Sequence, residues 1–419
     1  MWRDRMPWSP MLMPQELARA VEHYGSGLRM RGVATKLLAG QCIQVALLGG
    51  SVTVGWGATD PSFAYSERFA QLLNSAFPCG QHVVVNRAVS GARSSLSAAC
   101  LDHMVPPGTD LVVVEFTVND DRSEGMTGPD RRHYEQLLRK LLRLGKAVVL
   151  LHTYMYNTSF MHDPVLGSPR GLFWWPTEQH YSTFAQYYDI PSVSIASAAW
   201  RLMAAGVEGF KVDKYAAYPG IHIDSGAQVA GDHERASYYF ADPHHPGDEG
   251  HKVLAEALAA PLLRAVGEVQ AQRLLPPSVL AAMLLPIAAA GNSSGTSYSR
   301  ADPRLMEPPP PMIPGNFEKR TLVCAMPADM QRLVKAASGF QFRPERPNAT
   351  DFARQKWGWS AYKPGDWFEM EVDTRLVGHN ASNASQPVVV AISCLHSYEA
   401  RVREMLAGCT AQMQGAWQD

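Results

Sequence analysis

The chain has 419 residues, which is long for one ordinary domain and predicts one large domain with a smaller one. Its 38 lysines and arginines nearly balance 39 aspartates and glutamates, so no overall field exists to attract nucleic acid or an anionic membrane. No apolar run reaches the roughly 18 to 20 residues of a spanning helix, so we expect a soluble protein with no membrane span and no nucleic-acid partner.

Residues 1–40 are predicted to form a helical lead-in. They contain no apolar stretch typical of a signal peptide. Five of the nine asparagines nevertheless begin N-x-S/T sequons, which favours a secretory or extracellular protein, so the compartment stays open. The six cysteines show no C-x-x-C spacing, and free buried thiols are expected. The sequons begin at Asn157, Asn292, Asn348, Asn380 and Asn383.

Between residues 41 and 268, short β-branched runs alternate with helical stretches. This alternation is typical of a parallel sheet covered on both faces, and it predicts a three-layer α/β/α domain with a five-stranded parallel sheet. The predicted strands are 43–48, 82–86, 111–116, 147–152 and 192–195. The predicted helices are 66–76, 94–104, 131–144, 177–189 and about 247–266.

Polar features follow the first three predicted strands. Ser51 follows the first strand in a G-G-S-V turn, Gly91 follows the second, and Asn119 follows the third. Because ligands bind at the carboxyl ends of parallel strands, these three residues are expected along one edge of the sheet. The backbone N–H groups of Ser51 and Gly91 and the amide of Asn119 are candidate oxyanion donors, although Gly91 and Asn119 are also suited to capping helices.

The last motif, D-P-H-H-P, places Asp242 three residues before His245 in a proline-restricted turn. A histidine that accepts a hydroxyl proton and a carboxylate that orients its ring are the partners that a nucleophilic serine needs. The alternative is a metal site, which we disfavour because hydrolysis at a metal needs neither the serine nor the asparagine. The candidate metal ligands are His222, Asp224, His233, His244, Asp248 and His251.

These motifs resemble, in the same order, the four blocks of the SGNH (GDSL-like) hydrolase superfamily over residues 42–266. The resemblance implies that Ser51, His245 and Asp242 form a catalytic triad, and that Ser51, Gly91 and Asn119 form the oxyanion hole. It implies no cofactor and no metal. G-G-S-V replaces G-D-S-L here, and Ala88 and Thr117 stand where two glycines are usual. This variant resembles uncharacterised plant and green-algal members.

The implied function is a serine esterase that acts on a small-molecule or glycan ester, such as an O-acylated glycan, through a covalent acyl-enzyme. Two alternatives stay open: a polysaccharide O-acyltransferase with the same site, and a catalytically silent module that binds glycan or protein. Trp174 and Trp175 are candidate substrate contacts, with burial in the core as the equal alternative.

Residues 269–315 are rich in Pro, Ser and Gly and are predicted to be a linker. Residues 316–419 are predicted to be a small β-rich module of unknown function, with strands at 321–326, 367–372 and 386–394. Aromatic bulk for this module is expected from Trp357, Trp359 and Tyr362.

Overall fold

A six-stranded sheet lies at the centre of the first of two units, Met1–Arg320 and Thr321–Asp419. The computed structural model describes residues 6–157, 171–218, 221, 223, 226–276, 307–321, 323–344, 357–361 and 363–372. The strands of the central sheet are β1 (Val21–His23), β2 (Gln44–Gly49), β3 (Val83–Asn86), β4 (Leu111–Glu115), β5 (Ala147–His152) and β6 (Ser192–Ser194).

The strand order is β1-β6-β5-β4-β2-β3, and every pair is parallel except β1 with β6. The central strands β4 and β5 are buried at every position, as their continuous apolar runs require. The five parallel strands lie where they are predicted, to within one or two residues at either end. The sixth, β1, comes from the region predicted as a helical lead-in.

Helices cover both faces of this sheet, which confirms the predicted three-layer α/β fold. Alternate strand residues such as Val45, Leu47 and Val113 share one hydrophobic core with the helices that contain Leu37, Phe69 and Leu258. The helices of this unit are α1 (Pro14–Ala20), α2 (Leu28–Leu38), α3 (Ser51–Val54), α4 (Tyr65–Ala76), α5 (Ser94–Ala99), α6 (Leu101–Met104), α7 (Pro129–Arg143), α8 (Pro176–Tyr188), α9 (Ile195–Ala204) and α10 (Asp248–Arg273).

The N-terminal residues are joined to α10 through one buried carboxylate. Glu256 accepts hydrogen bonds from Trp8 Nε1 at 2.9 Å and from the backbone N–H of Leu12 at 2.8 Å. The backbone N–H of Met11 also donates to it. The lead-in is therefore an integral part of the first unit.

A disulfide joins Cys42 to Cys79, with their Cα atoms 5.5 Å apart. The expectation of free thiols is wrong for this pair. Cys42 precedes β2 and Cys79 precedes β3, and these neighbouring parallel strands begin at the same end of the sheet, where Gln44 pairs with Val83. A spacing of 37 residues gives no sign of this proximity in the sequence.

The second unit contains α11 (Pro327–Leu333) and two antiparallel strand pairs: β7 (Val334–Ser338) with β10 (Trp367–Met370), and β8 (Gln341–Pro344) with β9 (Trp357–Ser360). The β-rich character and the strand beginning at Trp367 are confirmed. No strand forms at the described residues of 321–326, whereas residues 386–394 and Tyr362 lie outside the described ranges. Trp359 stacks on Phe368, with ring centroids 6.2 Å apart.

Within the described ranges, no helix has the length and apolar character needed to cross a bilayer.

Candidate active site

The candidate site lies where β2, β3 and β4 end. Ser51 is the first residue of α3, directly after β2. The backbone N–H of Val89, in the loop that follows β3, donates to Gly49 O at 3.1 Å, so this loop runs alongside the end of β2 toward Gly91. Asn119 lies in the turn that follows β4, where its backbone N–H donates to Phe116 O at 3.0 Å.

Ser51, His245 and Asp242 form a continuous hydrogen-bonded chain. Ser51 Oγ lies 2.8 Å from His245 Nε2, and the opposite ring nitrogen, Nδ1, lies 2.8 Å from Asp242 Oδ2. The serine and the histidine are separated by 194 positions in the sequence. This geometry would let the imidazole accept a proton from the serine at one nitrogen while the carboxylate accepts the N–H of the other.

Asp242 also shapes the turn that carries the histidine. Its Oδ1 accepts the backbone N–H groups of His244 and His245, each at 2.8 Å. Burial raises the pKa of Asp242, but the hydrogen bond and charge of His245 and the two backbone donors outweigh burial, so the net pKa is lowered. The carboxylate is therefore the stable form beside the imidazole.

The close approach of Asn119 to the serine turn requires glycine at position 50. A Cβ atom at Gly50 would lie 2.1 Å from Oδ1 of Asn119 and 2.4 Å from its Nδ2. The carboxamide of Asn119 therefore lies against the backbone that leads into Ser51. Gly91 adopts a φ of 75°, a left-handed conformation that favours glycine.

Trp56 is a site residue that the sequence argument missed. Its ring centroid lies 5.9 Å from that of His245, and its Nε1 donates to Ser90 Oγ at 2.7 Å. The indole thus links the serine turn, the loop after β3 and the histidine. The available signal was its place in G-W-G, five residues after Ser51.

The neighbouring histidines occupy different environments. His251 is buried, and its two ring nitrogens meet the backbone N–H of Tyr65 at 3.3 Å and the carbonyl of Trp56 at 2.9 Å. His244 is exposed. Among the residues that the structure describes, no cluster of three His, Cys, Asp or Glu side chains is suited to hold a metal ion. Two of the candidate metal ligands, His222 and Asp224, lie outside the described ranges.

The two candidate tryptophans differ in exposure. Trp174 is 42% exposed, whereas Trp175 is 3% exposed and its Nε1 donates to Thr117 O at 3.1 Å. Trp175 also makes an edge contact with Tyr154. These contacts favour the core interpretation for Trp175 and leave Trp174 available to a ligand.

Comparison with known protein families finds a match to the region that contains the candidate site. Residues 47–253 match the model of the GDSL-like Lipase/Acylhydrolase family. The match begins within β2 and ends in α10, so it contains the serine turn, Gly91, Asn119 and the D-x-x-H turn. The match supports a carboxylic ester hydrolase, and the fold is that of an SGNH hydrolase.

Solved structures resemble this chain in fold. A two-domain esterase (CEX) active on acetylated mannans is 21% identical, covers 84% of this chain and 73% of its own, and has a TM-score of 0.50. An acetyl xylan esterase (Axe2) from Geobacillus stearothermophilus is 19% identical over 52% of this chain and 94% of its own, with a TM-score of 0.35. A search of curated proteins finds no match to the chain.

Proposed function

We propose that this protein is a serine esterase in which Ser51 is the nucleophile, His245 the general base and Asp242 the residue that orients the imidazole. The observation that carries the proposal is the unbroken contact from Ser51 Oγ to His245 Nε2, and from Nδ1 to Asp242, at 2.8 Å each. The lowered pKa of Asp242 keeps a negative charge beside the imidazolium that forms when the serine is deprotonated.

The proposed reaction has two steps. Ser51 Oγ attacks the ester carbonyl as His245 takes its proton, and His245 then protonates the departing alcohol, which leaves an acyl-enzyme. In the second step, water attacks the acyl-enzyme as His245 takes a proton from it. His245 then returns the proton to Ser51 Oγ, and the carboxylic acid is released. The backbone N–H groups of Ser51 and Gly91 and the Asn119 amide stabilise the oxyanion in both steps.

A fluorophosphonate probe and p-nitrophenyl acetate test this proposal. Wild-type protein is expected to be labelled and to hydrolyse the ester, whereas Ser51→Ala is expected to do neither. His245→Ala is expected to lower kcat/KM on the order of 10³-fold or more, because the general base is lost. The exposed neighbour His244 provides the matched control, since His244→Ala should retain most activity. Labelling that persists in Ser51→Ala would contradict the assignment.

The proposed substrate class is an O-acylated glycan. This extension is supported by exposed aromatic side chains of the type that stack on sugars, Phe173 at 49% and Trp174 at 42% exposure, and by the acetylated mannans on which the similar two-domain esterase acts. Trp174→Ala is expected to raise KM for an acetylated oligosaccharide several-fold, while KM for ethyl acetate stays unchanged because that ester has neither a sugar nor an aromatic ring to stack. Equal effects on both substrates would argue against a glycan contact at Trp174.

A further inference from the structure

Glu115 is a buried carboxyl group beneath the serine turn, at the last position of β4. It is 0% exposed, and the four preceding residues of its strand are apolar and buried. A carboxyl group in such a place is costly unless hydrogen-bond donors surround it. It lies four residues before Asn119, outside the triad and the proposed oxyanion donors.

Three donors converge on this carboxyl group. Thr53 Oγ1 donates to Oε2 at 2.9 Å, Thr153 Oγ1 donates to Oε1 at 2.8 Å, and the backbone N–H of Gly50 also donates to it. Gly50 and Thr53 flank Ser51, so two of the three donors belong to the turn that carries the serine. Thr53 Oγ1 also contacts Tyr65 Oη at 2.9 Å, which joins the turn to α4.

We propose that Glu115 is a positioning residue that holds Ser51 in line with His245 through its bonds to Gly50 and Thr53. This inference rests on the proposed function. Both carboxylate oxygens accept hydrogen bonds, whereas glutamine replaces one oxygen with an NH₂ group, so at least one neighbouring hydroxyl must turn from donor to acceptor and the network around the serine turn changes. Displacing a nucleophile by a fraction of an ångström reduces the rate of the chemical step more than it reduces substrate binding.

Burial is the dominant influence on the protonation of Glu115. It raises the pKa of this carboxyl group above its ordinary value, and the hydrogen bonds from Thr153, Thr53 and Gly50 and the charge of His245 offset only part of that effect. Tyr65 and Tyr134 are the other titratable groups that interact electrostatically with Glu115, and burial keeps both as neutral phenols by raising their pKa values.

The test compares Glu115→Gln with Glu178→Gln in the full-length protein. Glu178 is a matched control because it is also a buried carboxyl group, but its hydrogen-bond partner is Ser194, at the end of β6. Steady-state kinetics with p-nitrophenyl acetate should show kcat lowered by roughly 10- to 100-fold in Glu115→Gln, with KM little changed. Glu178→Gln should retain the wild-type kcat.

The split between kcat and KM, with melting temperature measured alongside, separates positioning from general destabilisation. Thr53→Val removes a donor within the serine turn and should lower kcat with KM little changed. Thr153→Val removes a donor outside the serine turn and should lower kcat less than Thr53→Val.

Two results would overturn the inference. In Glu115→Gln it is an unchanged kcat, whether or not the melting temperature falls. If that variant does not fold, equal kcat values for Thr53→Val and Thr153→Val would overturn it. Failure of the proposed function gives a different result, because the wild-type protein itself would then resist fluorophosphonate labelling at Ser51.

Discussion

Gly50 shows how one missing side chain determines the geometry of the site. The carboxamide of Asn119 occupies the space that a Cβ atom at position 50 would need, at 2.1 to 2.4 Å. Gly50→Ala is therefore expected to push Asn119 away from Ser51 and to lower kcat roughly 10²-fold, the effect of losing one oxyanion donor. Steady-state kinetics with a small ester measures this loss.

The control for this substitution is Gly32→Ala in α2. A Cβ atom at Gly32 meets nothing within 4 Å, and alanine favours a helix, so this variant should keep full activity with equal or higher stability. If Gly50→Ala retains wild-type kcat, Asn119 either moves without consequence or does not contribute to the oxyanion hole.

The proposed role of Asp242 depends on its carboxylate accepting a hydrogen bond from His245 Nδ1. The isosteric change to asparagine tests that role. Asparagine at this position keeps an oxygen for the two backbone donors but places an NH₂ group or a neutral acceptor beside His245 Nδ1. If the ring carries its proton on Nε2, it cannot accept the serine proton there. Asp242→Asn should therefore lower kcat by roughly 10³- to 10⁴-fold. A loss below tenfold at unchanged melting temperature would contradict an orienting role.

The amino-acid sequence predicts some of the site residues and not others. Ser51, Gly91, Asn119 and the D-x-x-H turn follow strands or precede a helix, so glycine, proline and polar residues mark them in the sequence. Glu115 and Trp56 carry no such mark. Their contacts, with Thr153 and with the ring of His245, exist only after the strands and loops have been brought together.

At the scale of elements, the parallel strands were predictable because continuous apolar runs such as 111–114 stand out against polar loops. Strand β1 was not predictable from the sequence. Its three residues, Val21, Glu22 and His23, are too few to show a periodic pattern, and they pair with β6 only in the folded sheet. The predicted helix 94–104 is two helices, α5 and α6, which meet at Cys100.

Asp120 links three elements, and its protonation predicts how stability depends on pH. Its Oδ1 accepts the backbone N–H of Ser94 at the start of α5 at 2.8 Å, its Oδ2 meets Tyr181 Oη of α8, and it follows β4. Burial, with a smaller contribution from the charge of Asp130, raises the pKa of Asp120 to about 7. The folded protein therefore binds this proton more tightly than the unfolded chain does.

The stability contributed by protonated Asp120 is full below the ordinary carboxyl pKa of 3.8 and is lost as the pH rises through about 7. Asp120→Asn removes this dependence while keeping an acceptor for Ser94. Urea unfolding between about pH 4 and pH 8 should show the variant gaining stability relative to wild type by a few kcal/mol as the pH rises. A constant difference across this range would show that Asp120 does not titrate there.

The Cys42–Cys79 disulfide joins the segments that enter β2 and β3. It closes a loop with a sequence separation of 37, and the chain-entropy relation assigns such a loop about 4 kcal/mol of stabilisation. The double variant Cys42→Ser, Cys79→Ser should lower the free energy of unfolding by roughly this amount. Unchanged unfolding, or alkylation of both thiols without a reductant in the native protein, would argue against the bond.

At the scale of the whole chain, the end of the predicted linker and the first residue of the predicted module contribute to the first unit. Ile313 and Asn316 are 2% and 4% exposed, and the Asn316 amide donates to Glu135 Oε2 on α7 at 2.6 Å. The backbone N–H groups of Met312 and Ile313 also donate to Glu135. A Pro-rich composition predicted a linker because it lacks periodicity. The non-proline residues Met312 and Ile313 nevertheless supply backbone N–H donors, and Ile313 is also an apolar anchor for packing.

Two truncations measure this contribution. A chain that ends at Arg320 keeps every donor to Glu135 described above, whereas one that ends at residue 306 leaves that carboxylate buried without its donors from Met312, Ile313 and Asn316. Tyr188 Oη still donates to Oε1 at 2.6 Å, but the loss of the other donors and of the buried Ile313 side chain costs roughly a few kcal/mol, so the shorter chain should melt several degrees lower than the longer one. Equal melting temperatures would mean that residues 307–320 add nothing to the first unit, and that Glu135 finds other partners or water.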